Sequence, residues 1–182
     1  MKNMGKVFED SFRDSIPSEV FFKRFKDDMS KYRNVFNTCD FLLFNKRSLF
    51  LFELKSVQED MIPFVKLGEQ HTDGVTYKRL EKLFTEGQCR DVYAGFLIEF
   101  RKSGIVVYLT ADQVIDVVLG GWFERKSIPL AWAERNGLRI PRELMRTRYK
   151  YPVKNILDWV VEYHARLGRW GAEAFEDSST GN

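Results

Sequence analysis

The stretch from Asp40 to Lys55 constrains the fold more than any other part of this chain. Phe41-Leu42-Leu43-Phe44 is a short apolar run, closed by the turn-forming polar cluster Asn45-Lys46-Arg47-Ser48. Leu49-Phe50-Leu51-Phe52 follows and leads into Glu53-Leu54-Lys55. The two runs predict a strand hairpin over 38–44 and 49–55. Strand side chains alternate, so Glu53 and Lys55 share a face with Leu49 and Leu51, while Phe50, Phe52 and Leu54 take the other. Apolar residues on both faces predict a strand buried on both sides. A carboxylate and an ammonium at the end of such a strand need an explanation, because unpaired buried charges are costly.

Asp40 opens the first run, with twelve residues between it and Glu53. The hairpin can therefore bring two carboxylates and an ammonium to one edge of a sheet. Two carboxylate oxygens at that spacing can hold a hard divalent cation such as Mg²⁺. A nearby Lys can orient or help activate the water that attacks a phosphodiester. The arrangement reads as a metal-dependent nuclease site. The plainer reading is a surface strand end at which Glu53 and Lys55 satisfy each other.

The rest of the chain supplies a mixed set of elements. Residues 4 to about 16 read as a helix, with Val7, Phe8, Phe12 and Ile16 near helical spacing and Pro17 closing it. Glu19 to Lys26 reads as a strand, and Asp27 to Asn37 as polar loop. Ser56 to Gly68 is a connection containing Pro63. Glu69 to about Thr85 reads as a helix ended by Gly87. Val92 to Phe100 and Ile105 to Leu109 read as strands about the turn Arg101-Lys102-Ser103-Gly104. Thr110-Ala111-Asp112-Gln113 resembles a capping box that opens a helix to Leu119. Asn155 to about Leu167 is a helix with Ile156, Trp159, Val160, Tyr163 and Leu167 on one stripe. This order predicts an α/β (α+β) fold, a mixed sheet with helices on its faces. Residues 1–170 are expected to form a single domain with a basic C-terminal segment, and 171–182 a disordered tail.

Composition supports one globular domain: 182 residues, 44% hydrophobic, with 16 Phe. Net charge is only +3, but it is unevenly placed. Arg125 to Lys154 holds nine Arg or Lys against two Glu, a balance of +7 that leaves −4 for the remainder. Such a segment suggests an anionic partner, and Arg139, Arg142, Arg146 and Arg148 are its candidate phosphate contacts. Cys39 and Cys89 are too few for a disulfide scaffold or an ordinary zinc site. With no apolar leader and no run of membrane-spanning length, the chain is expected in the cytoplasm with reduced cysteines and no membrane association.

Two further residues bear on the site. Glu9 lies on the first helix, one turn past Gly5, and Gln70 at the start of the helix after the hairpin. The set Gly5-x-x-x-Glu9, Asp40-(x12)-Glu53-x-Lys55 and Gln70 resembles the PD-(D/E)xK nuclease superfamily. More closely it resembles the RecU-type Holliday junction resolvases of Gram-positive bacteria and their phages. Ile62-Pro63-Phe64 before Gln70-His71 is similar to that family's Phe-Pro segment before its Gln. Tyr93 to Phe100 is similar to its following core strand, and Arg125-Lys126-Ser127-Ile128-Pro129 to its basic segment. The likeness covers about residues 4–155. Two departures stand out. Gly5 is almost at the start, where family members carry a longer polar arm, and Leu51 stands where cellular members often have an acid. The short arm suggests a phage or prophage version.

The resemblance implies a restriction-endonuclease-like core and a homodimer that nicks two opposing strands of a four-way junction. It implies Mg²⁺, with Mn²⁺ able to substitute, held by Asp40, Glu53 and the Leu54 carbonyl. Lys55 would orient the water, and Glu9 and Gln70 would complete the catalytic set. Three other classes share these residues: a nuclease for ends, flaps or specific sites, a non-catalytic DNA-binding protein on the same fold, and a structural protein with ordinary ion pairs. The segment Val57–Leu67 has two readings, a projection that enters the junction or a loop folded back over the core.

Overall fold

The computed structural model of the chain describes residues 4–25, 37–64, 74–120 and 126–168. In chain order the elements are α1 (Met4–Arg13), β1 (Phe21–Arg24), β2 (Phe41–Asn45), β3 (Ser48–Val57), β4 (Met61–Pro63) and α2 (Gly74–Glu86). Then come β5 (Val92–Phe100), β6 (Ile105–Thr110), α3 (Ala111–Gly120), β7 (Ser127–Pro129) and α4 (Leu130–Asn136). The chain continues through β8 (Leu138–Ile140), β9 (Glu143–Leu144), β10 (Tyr149–Lys150) and α5 (Val153–Arg166).

Six strands form the central sheet in the order β1-β2-β3-β5-β6-β8. The expected hairpin is there. β2 and β3 pair antiparallel from Phe41↔Phe52 to Asn45↔Ser48, and Lys46 takes a left-handed conformation at the turn, φ 55. β3 then pairs in parallel with β5 from Leu49↔Val92 to Val57↔Phe100, so their connection must cross over, and α2 lies in it. All other pairings in this sheet are antiparallel. The fold is the mixed sheet flanked by helices that the element order predicts.

Both faces of β3 are buried, as its two-sided apolar pattern requires. Phe50, Phe52 and Leu54 join Phe8 and Phe12 of α1, Phe41 and Leu43 of β2, and Ile156 and Val160 of α5. Phe12 meets Phe41 at 5.4 Å and Phe52 at 6.3 Å, both edge-on, which fixes α1 across the hairpin. The opposite face of β3 gives Leu51 and Val57 to a second core with Leu80 and Leu83 of α2, Ile98 of β5 and Val114 of α3. Gly95 permits a close approach between strands. A Cβ there would fall 2.5 Å from the Tyr108 ring and 2.4 Å from the Leu109 carbonyl oxygen. The space lets Tyr108 lie buried, donating to the Ala94 carbonyl at 3.2 Å.

The capping box at α3 is realised in both directions. The Gln113 N–H donates to Thr110 Oγ1 at 3.1 Å, and the Thr110 N–H to Gln113 Oε1 at 3.0 Å. Other boundaries shift. The strand expected over 19–26 is confined to Phe21–Arg24. The helix expected from Glu69 is described from Gly74, its first five residues lying outside the described set. Cys39 is buried, Cys89 is exposed, and neither forms a disulfide among the described residues. No described helix is long and apolar enough to cross a membrane. Residues 171–182 lie outside the described set.

The larger difference concerns the connection after β3. That strand continues to Val57, and β4 pairs antiparallel with β7 from Met61↔Pro129 to Pro63↔Ser127. The Phe64 N–H donates to the Lys126 carbonyl at 2.9 Å. Ile62 and Phe64 are 0% and 4% exposed in the second core. Through Phe64 the segment is folded over the core; Val65 to Leu67 lie outside the described residues. Phe64→Ala should therefore lower the unfolding free energy by roughly 3–5 kcal/mol. Met61→Ala, at an exposed position, should cost under about 0.5 kcal/mol. Urea melts read as midpoint shifts at constant slope check both; an unmoved Phe64→Ala midpoint would restore the projecting reading.

Candidate active site

The site is made where β2 ends and β3 continues. The last pair of the hairpin ladder is Phe41↔Phe52. One residue further out, the Asp40 N–H still donates to the Phe52 carbonyl, at 3.1 Å. Beyond it the backbone of β2 departs, and the Asp40 side chain takes over as the acceptor. Its Oδ2 receives the Leu54 N–H at 2.7 Å. An extended residue directs its N–H and C=O to the same side. The Leu54 carbonyl thus opens toward Asp40, past the end of β2. Alternation puts Glu53 and Lys55 on the neighbouring positions of the same strand.

Glu53 is 1% exposed, and the Lys55 ammonium donates to its Oε1 at 2.7 Å. The ion pair of the plainer sequence reading therefore exists, but at a buried strand end rather than on the surface, and beside a second carboxylate. Burial pushes Asp40 up from the ordinary carboxylate range to about 7, and the charge of Glu53 adds to the shift. The Leu54 N–H and the Lys55 ammonium oppose it, and Glu9 adds a smaller push upward. One ammonium thus faces two carboxylates, and the charge of Glu53 disfavours the charged form of Asp40.

This donor set fits a hard divalent cation. Among the described residues no three His, Cys, Asp or Glu converge as metal ligands. Two carboxylates suffice for Mg²⁺, which keeps several waters and takes one or two carboxylates from protein. Asp40 and Glu53 would supply them, with the Leu54 carbonyl as a neutral third oxygen.

The other expected residues divide. Glu9 comes to the neighbourhood on α1, close enough to act on Asp40, but its Oε2 is held by Arg24 of β1. Arg24 also donates to Asp10 Oδ1 at 2.9 Å and lies over the Phe41 ring at 5.8 Å. Sequence periodicity does not single out this arginine; its signal is a charged pair, Lys23-Arg24, interrupting an apolar run. Gln70 lies outside the described residues.

Of the four basic-segment arginines, Arg139, Arg146 and Arg148 are exposed on the surface. Arg139 is 3.5 Å from Glu134 and Arg148 pairs with Asp14, whereas Arg146 has no ion pair among the described residues. Arg142 is different. Its side chain is 8% exposed, joined to the equally buried Glu99 and stacked at 3.6 Å on the Tyr149 ring. Its guanidinium is engaged by Glu99, the Tyr151 hydroxyl and the Gly104 carbonyl, and the residue lines an open surface pocket with Lys150 and Tyr151. A basic residue in a charged stretch gives no sign, from sequence alone, of such a buried partner.

Comparison with known proteins places the chain. It is 30% identical over 177 residues to the SPbeta prophage-derived uncharacterized protein YotM of Bacillus subtilis strain 168. The alignment covers 88% of each chain. The chain belongs to the family of YotM. No family model matches it. Among solved structures, it is similar to Archaeoglobus fulgidus Hjc, a Holliday junction resolvase from an archaeal hyperthermophile. That similarity has a TM-score of 0.49 at 12% identity, over 74% of this chain and 93% of Hjc.

The raised Asp40 carboxyl has a consequence for stability. The folded state holds the Asp40 proton more tightly than the unfolded chain does. Asp40's contribution is therefore most favourable at low pH and is lost as pH rises from about 4 through about 7. In metal-free buffer above pH 7, Asp40→Asn should melt higher than wild type, by about 2–4 °C for each kcal/mol relieved. The difference should shrink toward pH 4, and added Mg²⁺ should raise the wild-type melting temperature alone. Calorimetry at pH 5 and 8 checks this; an Asp40→Asn protein less stable than wild type at pH 8 would mean the carboxylates are not crowded.

Proposed function

We propose that this chain is a metal-dependent DNA endonuclease of the PD-(D/E)xK type. Its substrate is the four-way junction, which it cuts by phosphodiester hydrolysis in two symmetric nicks during recombination and repair. The observation that carries the reading is the pairing of buried Asp40 and Glu53 with Lys55 at the open end of β3. The prophage origin of YotM agrees with a phage or prophage version of such an enzyme.

The geometry supports the following roles. Asp40, Glu53 and the Leu54 carbonyl would hold Mg²⁺, or Mn²⁺ in its place; bound there, the ion supplies Lewis acidity toward the phosphate and lowers the pKa of water. The Leu54 N–H fixes the Asp40 carboxylate, so its free lone pairs keep one direction. Lys55 is anchored by Glu53 and can orient the attacking water and meet the charge that develops on the phosphate. Arg24 holds Glu9 beside Asp40, where Glu9 acts as a positioning residue. Gln70 is retained as a contact to water or phosphate. A homodimer suits the reading, since two-fold symmetry in the protein matches two-fold symmetry in the junction.

Cleavage of a synthetic four-way junction with and without Mg²⁺, against flap and linear duplex controls, tests the proposal. Paired nicks in the junction, dependent on the metal, are expected. Preferential cutting of flaps or ends would keep the chemistry and change the substrate, and metal-independent or absent cleavage would end the reading. Asp40→Asn, Glu53→Gln and Lys55→Ala should each lower turnover by at least about 10²-fold while leaving junction binding nearly intact. Glu9→Gln and Arg24→Gln should lower it by roughly 10–100-fold, as residues that orient others do.

A further inference from the structure

The hairpin β9–β10 has no part in the catalytic arrangement, yet it is firmly built. It rests on two pairs, Tyr149↔Leu144 and Lys150↔Glu143, and a Met145 N–H to Arg148 carbonyl bond of 2.9 Å. So short a ribbon is marginal by itself. Its base is tied to the elements that carry the site. Arg142 lies against Tyr149, donates to the Gly104 carbonyl at 3.1 Å and joins Glu99. Glu99 in turn accepts the Ser56 hydroxyl at 2.6 Å, and Ser56 follows Lys55 in β3. On the other side the Tyr151 N–H donates to Ser15 Oγ at 3.0 Å, just past the end of α1.

The tip contrasts with this base. Leu144 is 69% exposed and Met145 47%. Arg146, next in sequence, is exposed with no ion pair among the described residues, and Lys150 is exposed on the stem, in register with Glu143. Leu144 and Met145 stand in water between Glu143 and Arg146 on an anchored stem that carries three cations, Arg146, Arg148 and Lys150, against the one acid Glu143, which suits a partner that presents phosphates and an uncovered base face together. Continuous duplex covers its base faces by stacking. A branch point leaves them open, and Leu and Met are among the side chains that enter such gaps.

We propose that the β9–β10 hairpin is a branch-point wedge: Leu144 and Met145 pack against unstacked bases where DNA strands part, and Arg146 and Lys150 contact the flanking phosphates. This rests on the nucleic-acid reading above and assigns recognition of branched DNA to a named structure outside the metal site. Its anchorage through Ser56 places the wedge at a fixed offset from Lys55, so branch and scissile phosphate are positioned by one rigid unit.

The test is fluorescence anisotropy of the whole protein in EDTA, with a four-way junction and a linear duplex of equal length, across a salt series. Leu144→Ser/Met145→Ser should reduce the preference for junction over duplex by about five-fold or more, with an unchanged melting temperature and salt slope. Arg146→Ala/Lys150→Ala should weaken both DNAs and lower the slope of log affinity against log salt by about 0.9 per lost contact. A double Ser variant that keeps the wild-type preference overturns the wedge. So does one whose defect is loss of self-association by light scattering, which would make a second copy the hairpin's partner. A wild-type protein that prefers junctions in EDTA but cuts nothing with Mg²⁺ would end the nuclease reading and leave the wedge standing. Mg²⁺-dependent junction cutting with an unaltered preference in the double Ser variant would do the reverse.

Discussion

Asp40 and Glu53 share one desolvated corner at the open end of β3, and their mutual repulsion is the constraint around which the neighbouring elements are arranged. Neither carboxylate is there by accident of exposure. Glu53 lies on a strand buried on both faces, and Asp40 is drawn in as the acceptor for a backbone N–H that β2 no longer serves. Keeping two such groups together costs free energy in the absence of a cation. The fold offsets the cost in part with Lys55 at 2.7 Å from Glu53 and one backbone hydrogen bond on Asp40. What remains is an excess of negative charge with a direction, which is what a cation site needs.

The aromatic core explains how that corner is held still. Phe12 of α1 packs edge-on against Phe41 and Phe52, which are partners in the last pair of the hairpin ladder before the site. The same helix carries Glu9, tied to β1 by Arg24. Packing on one face of the sheet thus sets the position of charges at its end. On the other face, β4 closes over the second core by pairing with β7, a strand more than sixty residues further along the chain. This closure buries Ile62 and Phe64 and fixes the chain where it leaves β3.

How much of this was legible in the sequence depends on the range of the interaction. The hairpin and the Thr110–Gln113 capping box were readable because period, turn residues and cap spacing are local. The Asp40-(x12)-Glu53-x-Lys55 spacing was readable because a hairpin converts a separation in sequence into adjacency. The β4–β7 pairing was not, since three-residue strands carry no periodicity and their partners are far apart in the chain. Arg142 and Arg24 failed to declare themselves for a related reason. A charged residue looks alike in sequence whether it faces water or a buried carboxylate, and only the fold brings Glu99 to the one and Glu9 to the other.

The Asp40–Glu53 corner, with Lys55 serving it, is proposed to be a cation site rather than a structural ion pair with a spare acid beside it. Anomalous diffraction from crystals soaked in Mn²⁺ addresses it without recourse to activity. A peak is expected within bonding distance of Asp40, Glu53 and the Leu54 carbonyl, roughly 2.0–2.2 Å from each oxygen, and its loss in Glu53→Gln crystals. A Mn²⁺ peak elsewhere on the protein, with this corner empty at saturating metal, would contradict it.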